Sequence, residues 1–290
     1  MAGDIKLSHS VFALPFALLS ATLAARVAPF GEAWGWGSFG LIVACMVAAR
    51  TAAMAANRLL DAKIDAGNPR TRNRSIPSGK LSPRYVAGVV VASGIVFEVA
   101  CVGFGLAYDN WLPTLLGPVV LIALCAYPFF KRFTSLCHYY LGLCLALSPI
   151  CAWIAIAGSV AVEPLLMAAS IVCWTGGFDV IYATADVETD LRDGVHSLPT
   201  KLGIAKALWI SRVTHVLSIA FLVALGLASG DLGVLWFVVV AVVASLLVVE
   251  HALVRPDDLS KVGLAFFTVN GIISVLLGTA GIVDAVMLGA

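Results

Sequence analysis

Residues 38–65 read SFGLIVACMVAARTAAMAANRLLDAKID, an apolar run that ends in a short polar segment. A helix needs roughly 20 apolar residues to cross the hydrocarbon core of a bilayer, and residues 38–58 have that length. Near the end of the run, Asn57, Asp61 and Asp65 recur every four residues, so on a helix their side chains lie on one face. The stretch predicts a membrane-spanning helix whose end presents a row of oxygen ligands.

The composition of the whole chain extends this prediction. The 290 residues are 61% hydrophobic and only 12% charged, with a mean hydropathy of +0.99. Soluble domains carry about 25% charged residues, so a chain with half that share lacks the side chains to cover a water-facing surface and must contact membrane lipid. The net charge of +1 gives no reason to expect a nucleic-acid partner.

Apolar runs long enough to span a bilayer recur nine times. Their length and the lack of strict alternation favour helices over a membrane β-barrel. We therefore expect an all-α, polytopic membrane protein with nine transmembrane helices in one domain, residues 1–290. The first run is too long for the apolar part of a signal peptide, and we expect it to remain as a span. The expected spans are 10–30, 38–58, 84–107, 112–130, 136–158, 163–184, 206–228, 231–252 and 262–286.

The loops between these spans alternate in charge. One set is rich in Lys and Arg and includes two long loops, at about 59–83 and 185–205. The other set contains acidic residues and, apart from Arg26 near the end of the first span, no basic ones. Because cytoplasmic loops carry the excess of Lys and Arg, we expect a bacterial inner-membrane protein with its N-terminus and its long loops in the cytoplasm.

A second acidic cluster lies at the end of the sixth expected span. Asp186 and Asp190 are four residues apart, and Asp179 lies seven residues before Asp186, on roughly the same helical face and deeper in the membrane. Solvated helix ends are an ordinary explanation for one such pair. Two clusters on one side of the membrane favour a functional site, because unbridged carboxylates repel one another. Magnesium usually combines one or two carboxylates with phosphate oxygens, so the clusters predict a diphosphate held by Mg²⁺.

Basic residues follow the first acidic cluster and close the fourth span. Taken singly, each of them is explained by the charge rule for cytoplasmic loops. As a set that faces the acidic clusters, they predict contacts with phosphate oxygens. These residues are Arg70, Arg72, Arg74, Lys131 and Arg132. The five histidines are scattered along the chain, and none pair at the spacing of metal ligands.

The two acidic signatures, NxxxDxxxD at 57–65 and DxxxD at 186–190, together resemble those of the UbiA superfamily of intramembrane prenyltransferases. The resemblance covers nearly the whole chain, from HSVFALPF at 9–16 through NPRT at 68–71, RSIPSG at 74–79 and YPFFKR at 127–132 to GVHSLPTKLG at 194–203. The stretches RTAAMAANR at 50–58 and GGFDVIYA at 176–183 are similar to the branch that acts on aromatic acids in quinone synthesis.

The resemblance implies nine helices around a central cavity open to lipid, with Mg²⁺ as cofactor and a polyprenyl diphosphate as substrate. Asn57, Asp61, Asp186 and Asp190 match the family's magnesium–diphosphate ligands, and Asp65 matches the end of the first signature. Among the remaining candidates, Lys131 and Arg72 are expected to contact phosphate, and Asp179 and Arg50 to contact a small aromatic acid. The acid is 4-hydroxybenzoate or 1,4-dihydroxy-6-naphthoate, and the sequence leaves this choice open.

The implied reaction is ionisation of the allylic diphosphate followed by attack of the aromatic ring on the carbocation, with Asp61, Asp186 and Asp179 as the central acids. A transporter that uses intramembrane carboxylates is the alternative from another class, but such carboxylates usually lie near the midplane of the bilayer. An alcohol phosphotransferase carries its acids in one continuous motif. Prenyltransferases of the haem O or chlorophyll type are further alternatives.

Overall fold

The computed structural model describes residues 12–28 and 35–288. These residues form helices and no β-strand, and eight of the helices are long and apolar enough to cross a membrane. A shorter apolar helix, Leu14–Val27, precedes them. The all-α, polytopic fold expected from the sequence is therefore confirmed. The outer residues of the first expected span (10–11 and 29–30) and the N-terminus, which was expected in the cytoplasm, lie outside the described residues.

The first half of the chain supplies five helices of membrane length or nearly so, with one short helix after the second. Pro83 opens its helix at a position where the missing N–H has no intrahelical partner in any case, and the Ser82 side chain caps this end by accepting from the Tyr85 N–H at 3.2 Å. The helices are α1 Leu14–Val27, α2 Trp36–Leu60, α3 Ala62–Gly67, α4 Pro83–Tyr108, α5 Leu112–Phe130 and α6 Cys137–Ala157.

The second half supplies four spans, and two short helices lie in its long loop. A 3₁₀ segment, Thr184–Asp186, follows the first of these spans, and a π-helical segment, Ala265–Val269, lies near the start of the last. The sequence predicted the last span but not its π turn. The helices are α7 Val162–Ala183, α8 Val187–Asp193, α9 Leu198–Leu202, α10 Ile204–Ala228, α11 Val234–Leu253, α12 Val262–Leu264 and α13 Asn270–Leu288.

Helices α6 and α7 approach each other closely because glycine removes the side chains between them. A Cβ atom at Gly142 of α6 would lie 2.6 Å from the carbonyl oxygen of Val172 in α7. A Cβ atom at Gly176 would lie 2.5 Å from the ring of Tyr139. Small residues of this kind let the backbones of membrane helices pack directly. This contact fixes how side chains on α6 and α7 face one another.

A buried polar network ties α7 to α11 and α13. The indole N–H of Trp174 donates to Asn270 Oδ1 at 2.6 Å, and Asn270 Nδ2 donates to Glu250 Oε1 at 2.8 Å and to the carbonyl of Ala265 at 3.1 Å. Glu250 and Asn270 are fully buried. The bond to Ala265 engages the first carbonyl of the π-helical segment, so the network stabilises that irregular turn.

Helices α2, α4, α5, α6 and α7 surround a central cavity of about 680 Å³. Most of its wall consists of apolar side chains from these helices, including Ile42, Phe97, Leu124 and Phe178. The wall becomes polar where it meets the loops at 61–82 and 184–203, and we call this the polar end of the bundle. The predicted central cavity is present, and its two acidic clusters lie at the same end.

Candidate active site

The first acidic cluster lies where α2 gives way to α3. Asp61 ends α2 with non-helical backbone angles, yet its N–H still donates to the Asn57 carbonyl at 2.9 Å, and the Asp65 N–H donates to the Asp61 carbonyl at 2.8 Å. The four-residue spacing therefore survives the break between the helices. As the spacing predicted, Asn57, Asp61 and Asp65 all line the cavity.

Each carboxylate of the first cluster contacts a cation from another segment. Lys131 Nζ donates to Asp61 Oδ2, and Arg132 lies 3.8 Å from Asp61 Oδ1. Arg74 Nη1 donates to Asp65 Oδ1 at 2.7 Å. Burial raises the pKa of the Asp61 carboxyl above its ordinary value, and the positive charge of Lys131 opposes that increase. Basic side chains thus hold the cluster together electrostatically.

Two buried carboxylate oxygens still lack hydrogen-bond partners. Asp61 Oδ1 and Asp65 Oδ2 are shielded from solvent and accept no hydrogen bond, and a buried oxygen in this state is destabilising unless a cation or donor reaches it. Across the described parts of the chain, no three His, Cys, Asp or Glu side chains converge into a complete metal site. A Mg²⁺ ion fits such a donor set, because it binds one or two carboxylates and takes its other oxygens from phosphate and water.

The second cluster lines the cavity from the 3₁₀ segment after α7 and from α8. Asp186 ends the 3₁₀ segment and pairs with Arg70, while Asp190 is half-buried on α8. The Arg70 guanidinium also lies over the ring of Tyr182, 4.6 Å from its centroid. Arg70 therefore links the loop that follows the first cluster to the second cluster. The two predicted signatures are brought together around one cavity.

The basic residues at the cavity differ in part from the expected ones. Lys131, expected to contact phosphate, lines the cavity, whereas Arg72, for which the same contact was expected, is exposed and is absent from the cavity wall. Its neighbours Arg70 and Arg74 line the cavity instead. The reason is the turn at 68–75, in which the Arg70 N–H donates to Asn68 Oδ1 at 2.9 Å. The turn places Asn68, Arg70, Thr71 and Arg74 in the cavity wall and leaves Arg72 outside it.

Two further candidates lie deeper in the cavity wall. Arg50 and Asp179 are each seven residues before a signature residue, Asn57 or Asp186, which is about 10 Å along a helix. Arg50 Nε is buried without a hydrogen-bond partner. Asp179 Oδ2 is held by His138 Nδ1 at 2.7 Å. The structure thus places an arginine and a carboxylate below the polar end of the bundle.

His138 is a site residue that the sequence did not indicate. It lies on α6, one turn before Gly142, and is 3% exposed. His215 and His251 also meet, with Nδ1 and Nε2 3.0 Å apart, although they are 36 residues apart in the chain. Spacing along the chain predicts contacts within one helix only, and both of these pairings arise between helices. The close approach of α6 and α7 at Gly142 and Gly176 is the feature that brings His138 to Asp179.

Comparison with known proteins bears directly on the acidic signatures. The pattern of the UbiA prenyltransferase family matches residues 13–272, which includes both clusters and most of the cavity wall. The chain belongs to the UbiA prenyltransferase family. The resemblance seen in the sequence is thereby confirmed. This UbiA member is a membrane prenyltransferase by its family and by the eight membrane-length helices found within residues 12–28 and 35–288.

The relatives of this UbiA protein are named for different substrates. A 4-hydroxybenzoate octaprenyltransferase of Chromohalobacter salexigens is 30% identical over 220 residues, which is 76% of this chain and 71% of that protein. The mitochondrial 4-hydroxybenzoate polyprenyltransferase of Arabidopsis thaliana is 36% identical over 63% of this chain, and the match spans only 44% of that relative's length. A protoheme IX farnesyltransferase of Thioalkalivibrio sulfidiphilus is 33% identical over 59% of this chain and 56% of its own.

Solved UbiA structures share the fold. A UbiA homologue from Aeropyrum pernix K1 in its apo form superposes with a TM-score of 0.84 at 30% identity, over 96% of this chain and 98% of that one. A UbiA homologue from Archaeoglobus fulgidus bound to DMAPP and Mg²⁺ superposes with a TM-score of 0.70 at 16% identity, over 98% and 99% of the two chains. The second comparison supports the fold alone.

Proposed function

We propose that this UbiA enzyme transfers a polyprenyl group from a polyprenyl diphosphate to a small aromatic acid, with Mg²⁺ as cofactor. The observation that carries the proposal is a cavity with two acidic clusters and basic residues, among them Arg70, Arg74 and Lys131, at its polar end, and with Arg50 and Asp179 below them. The curated relatives named for 4-hydroxybenzoate support the class of acceptor. The prenyltransferase family supports a prenyl diphosphate as donor, and the carboxylates and cations at the polar end of the cavity support a diphosphate with Mg²⁺.

The polar end is proposed to bind the diphosphate. Asn57, Asp61 and Asp65 offer oxygens from one side and Asp186 and Asp190 from the other, and the bound Mg²⁺ would neutralise the charge of the leaving diphosphate. Lys131, Arg70 and Arg74 now contact carboxylates. When an anionic diphosphate enters, these three side chains are close enough to the cavity to donate to phosphate oxygens instead.

The deeper part of the cavity is proposed to bind the acceptor. The partnerless Nε of Arg50 suits a carboxylate, because a guanidinium donates to carboxylate oxygens in a planar, bidentate geometry. Asp179 lines the cavity, and its Oδ1, which makes no hydrogen bond among the described residues, suits the hydroxyl group of the ring. A 4-hydroxybenzoate or a 1,4-dihydroxy-6-naphthoate carries both groups.

The proposed reaction breaks the allylic C–O bond, and its electron pair leaves with the diphosphate. A ring carbon of the acceptor bonds to the allylic carbon, and the ring proton is then lost, which restores aromaticity. The apolar wall of Phe97, Leu124 and Phe178 excludes water that would otherwise capture the carbocation. Asp179, which is proposed to orient the hydroxyl, lines the cavity below the polar end and is the proposed acceptor of that proton.

A product assay tests this proposal. Protein in lipid vesicles is given a long-chain prenyl diphosphate, Mg²⁺ and either 4-hydroxybenzoate or 1,4-dihydroxy-6-naphthoate, and prenylated acid is measured by mass spectrometry. We expect product from one of the two acids and none with EDTA. Asp186→Asn, which keeps the size of the side chain and removes its charge, should lose almost all turnover. The proposal fails if wild-type protein prenylates neither acid.

Protoheme IX is the second candidate acceptor, because one relative is named a protoheme IX farnesyltransferase. The same assay with farnesyl diphosphate and protoheme IX separates the two candidates. For the membrane, we propose a bacterial inner membrane with the polar end in the cytoplasm, which the bacterial relatives and the Lys and Arg of the loops support. Labelling of Lys80→Cys at this exposed position with a membrane-impermeant thiol reagent, from either side of sealed vesicles and beside wild-type protein as the background of the seven native cysteines, tests this orientation.

A further inference from the structure

The two nitrogen atoms of the His138 ring have different partners. Nδ1 lies 2.7 Å from Asp179 Oδ2, and Nε2 lies 3.2 Å from the backbone nitrogen of Leu198. Leu198 is the first residue of α9, and the N–H groups of the first turn of a helix have no partner within the helix. His138 therefore joins the cavity wall to the loop that follows the second acidic cluster.

These partners determine which nitrogen carries the proton. A backbone N–H always donates, so Nε2 must accept from Leu198 and hold no proton of its own. The proton of the neutral ring is then on Nδ1, which donates to Asp179 Oδ2. A second proton on the ring would place Nε2–H against the N–H of Leu198, and the hydrogen bond between Leu198 and Nε2 would be lost.

The Asp179 carboxylate is held on one side only. Oδ2 is occupied by His138, and among the described residues no hydrogen bond is made to Oδ1, which belongs to a side chain that lines the cavity. The fixed backbone of α9 thus orients the ring, and the ring orients the carboxylate. In a neutral histidine, the hydrogen bond made by one ring nitrogen determines which nitrogen is protonated and therefore what the other nitrogen can bind.

From this geometry we infer that His138 is a positioning residue for the acceptor. It remains a neutral ring with its proton on Nδ1, and it aims Asp179 Oδ1 at the hydroxyl group of the bound aromatic acid. The inference rests on the proposed function for the identity of the acceptor. It adds a role for a residue outside the acidic signatures, and it gives α9 a part in the chemistry through Leu198.

Two substitutions separate the two contacts of the ring. His138→Asn places its amide near the position of Nδ1, so it keeps a donor for Asp179 and loses the acceptor for Leu198. His138→Gln reaches the position of Nε2, so it keeps the acceptor for Leu198 and loses the donor for Asp179. Each variant removes one hydrogen bond, so the two should lower the thermal unfolding temperature by similar amounts.

Single-turnover prenyl transfer at saturating substrate measures the chemical step. We expect His138→Gln to slow it about tenfold or more, the usual effect of losing a hydrogen bond to a charged group. We expect His138→Asn, which keeps the donor to Asp179 but loses the contact with Leu198 that fixes it, to slow the step less than His138→Gln does. We expect neither variant to change the KM for the prenyl diphosphate. Equal rates in the two variants, or a slower His138→Asn, would overturn the inference.

The tautomer provides a test that needs no turnover. In ¹⁵N NMR spectra of histidine-labelled protein in lipid, the ring signals lost in His138→Gln identify this residue. We expect a protonated Nδ1 and an unprotonated Nε2, and a protonated Nε2 would refute the inference. If wild-type protein prenylates neither acid, the proposed function fails, whereas the NMR result still decides the state of His138.

Discussion

Replacing Lys131 with methionine removes the ammonium group that contacts the buried Asp61 carboxylate. Asp61 is 1% exposed, so water cannot replace the lost partner. The substitution keeps the length and the apolar stem of the side chain and changes mainly its charge. We expect the protein without ligand to become much less stable, because an uncompensated buried charge is costly.

The structure sets the size of the expected loss. Removing one partner of a buried ion pair costs about 3–5 kcal/mol. Here the lower end applies, because the Lys131 side chain is 20% exposed and Arg132 remains 3.8 Å from the other oxygen of Asp61. At about 2–4 °C per kcal/mol for a chain of this order of size, roughly 3 kcal/mol lowers the unfolding temperature by about 6–12 °C.

The seven free cysteines provide the assay. Three of them are buried, and a thiol-reactive fluorogenic dye reports their exposure as the protein is heated at one fixed rate in detergent. The double variant Lys131→Met with Asp61→Asn is the matched control, because it removes the orphaned charge. It should unfold within about 3 °C of Asp61→Asn alone. A shift of less than 2 °C for Lys131→Met, or no recovery in the double variant, would refute the reasoning.

Three other substitutions test parts of the fold that hold the site. Gly142→Ala should push α6 away from α7, because its Cβ would lie 2.6 Å from the Val172 carbonyl oxygen. It should therefore lower both the unfolding temperature and the rate of prenyl transfer. Wild-type values of both quantities would contradict this packing. Asp284→Ala removes the carboxylate that accepts hydrogen bonds from two N–H groups at the start of α11, at 2.6 and 2.9 Å. It should lower the free energy of unfolding by about 1–3 kcal/mol while the folded protein keeps its activity. Lost turnover at low temperature would instead indicate a role in the active site. Asn270→Ala removes the hydrogen-bond partner of Trp174 Nε1 and of Glu250 Oε1 and should lower the unfolding temperature measured with the same dye. Asn270→Asp should destabilise at least as much, because it replaces the donor amide with an acceptor that faces Glu250 and the Ala265 carbonyl. Wild-type unfolding temperatures in both variants would argue against the buried network.

The sequence predicted that the residues of an acidic signature share one face, because this depends only on spacing within a single helix or helix end. Asn57, Asp61 and Asp65 line the cavity even though α2 ends at Leu60, because hydrogen bonds over four residues continue across the break. Nine apolar segments were also predictable, since span length follows from the thickness of the bilayer. These features are local in the chain, and local periodicity is sufficient to find them.

Partners between segments were not predictable in the same way. The exposed Arg72 was expected at the phosphate, and the turn at 68–75 brings Arg70 and Arg74 to the cavity instead. The contact of His138 with Asp179 depends on the packing of α6 against α7, which no spacing along the chain encodes. The π-helical segment follows from side-chain hydrogen bonds of Asn270 and not from the apolar pattern of its span.

Calorimetric binding of a non-hydrolysable prenyl diphosphate analogue tests the central claim most directly. Wild-type protein in lipid nanodiscs is titrated with the analogue, with Mg²⁺ and with EDTA, beside Asp61→Asn and the exposed control Glu188→Gln. We expect wild type and Glu188→Gln to bind in Mg²⁺ with the same affinity, and EDTA or Asp61→Asn to weaken binding by about 100-fold, which corresponds to about 2.7 kcal/mol. Equal affinity in EDTA and in Mg²⁺, or full affinity in Asp61→Asn, would contradict a Mg²⁺-dependent diphosphate site at the polar end of the bundle.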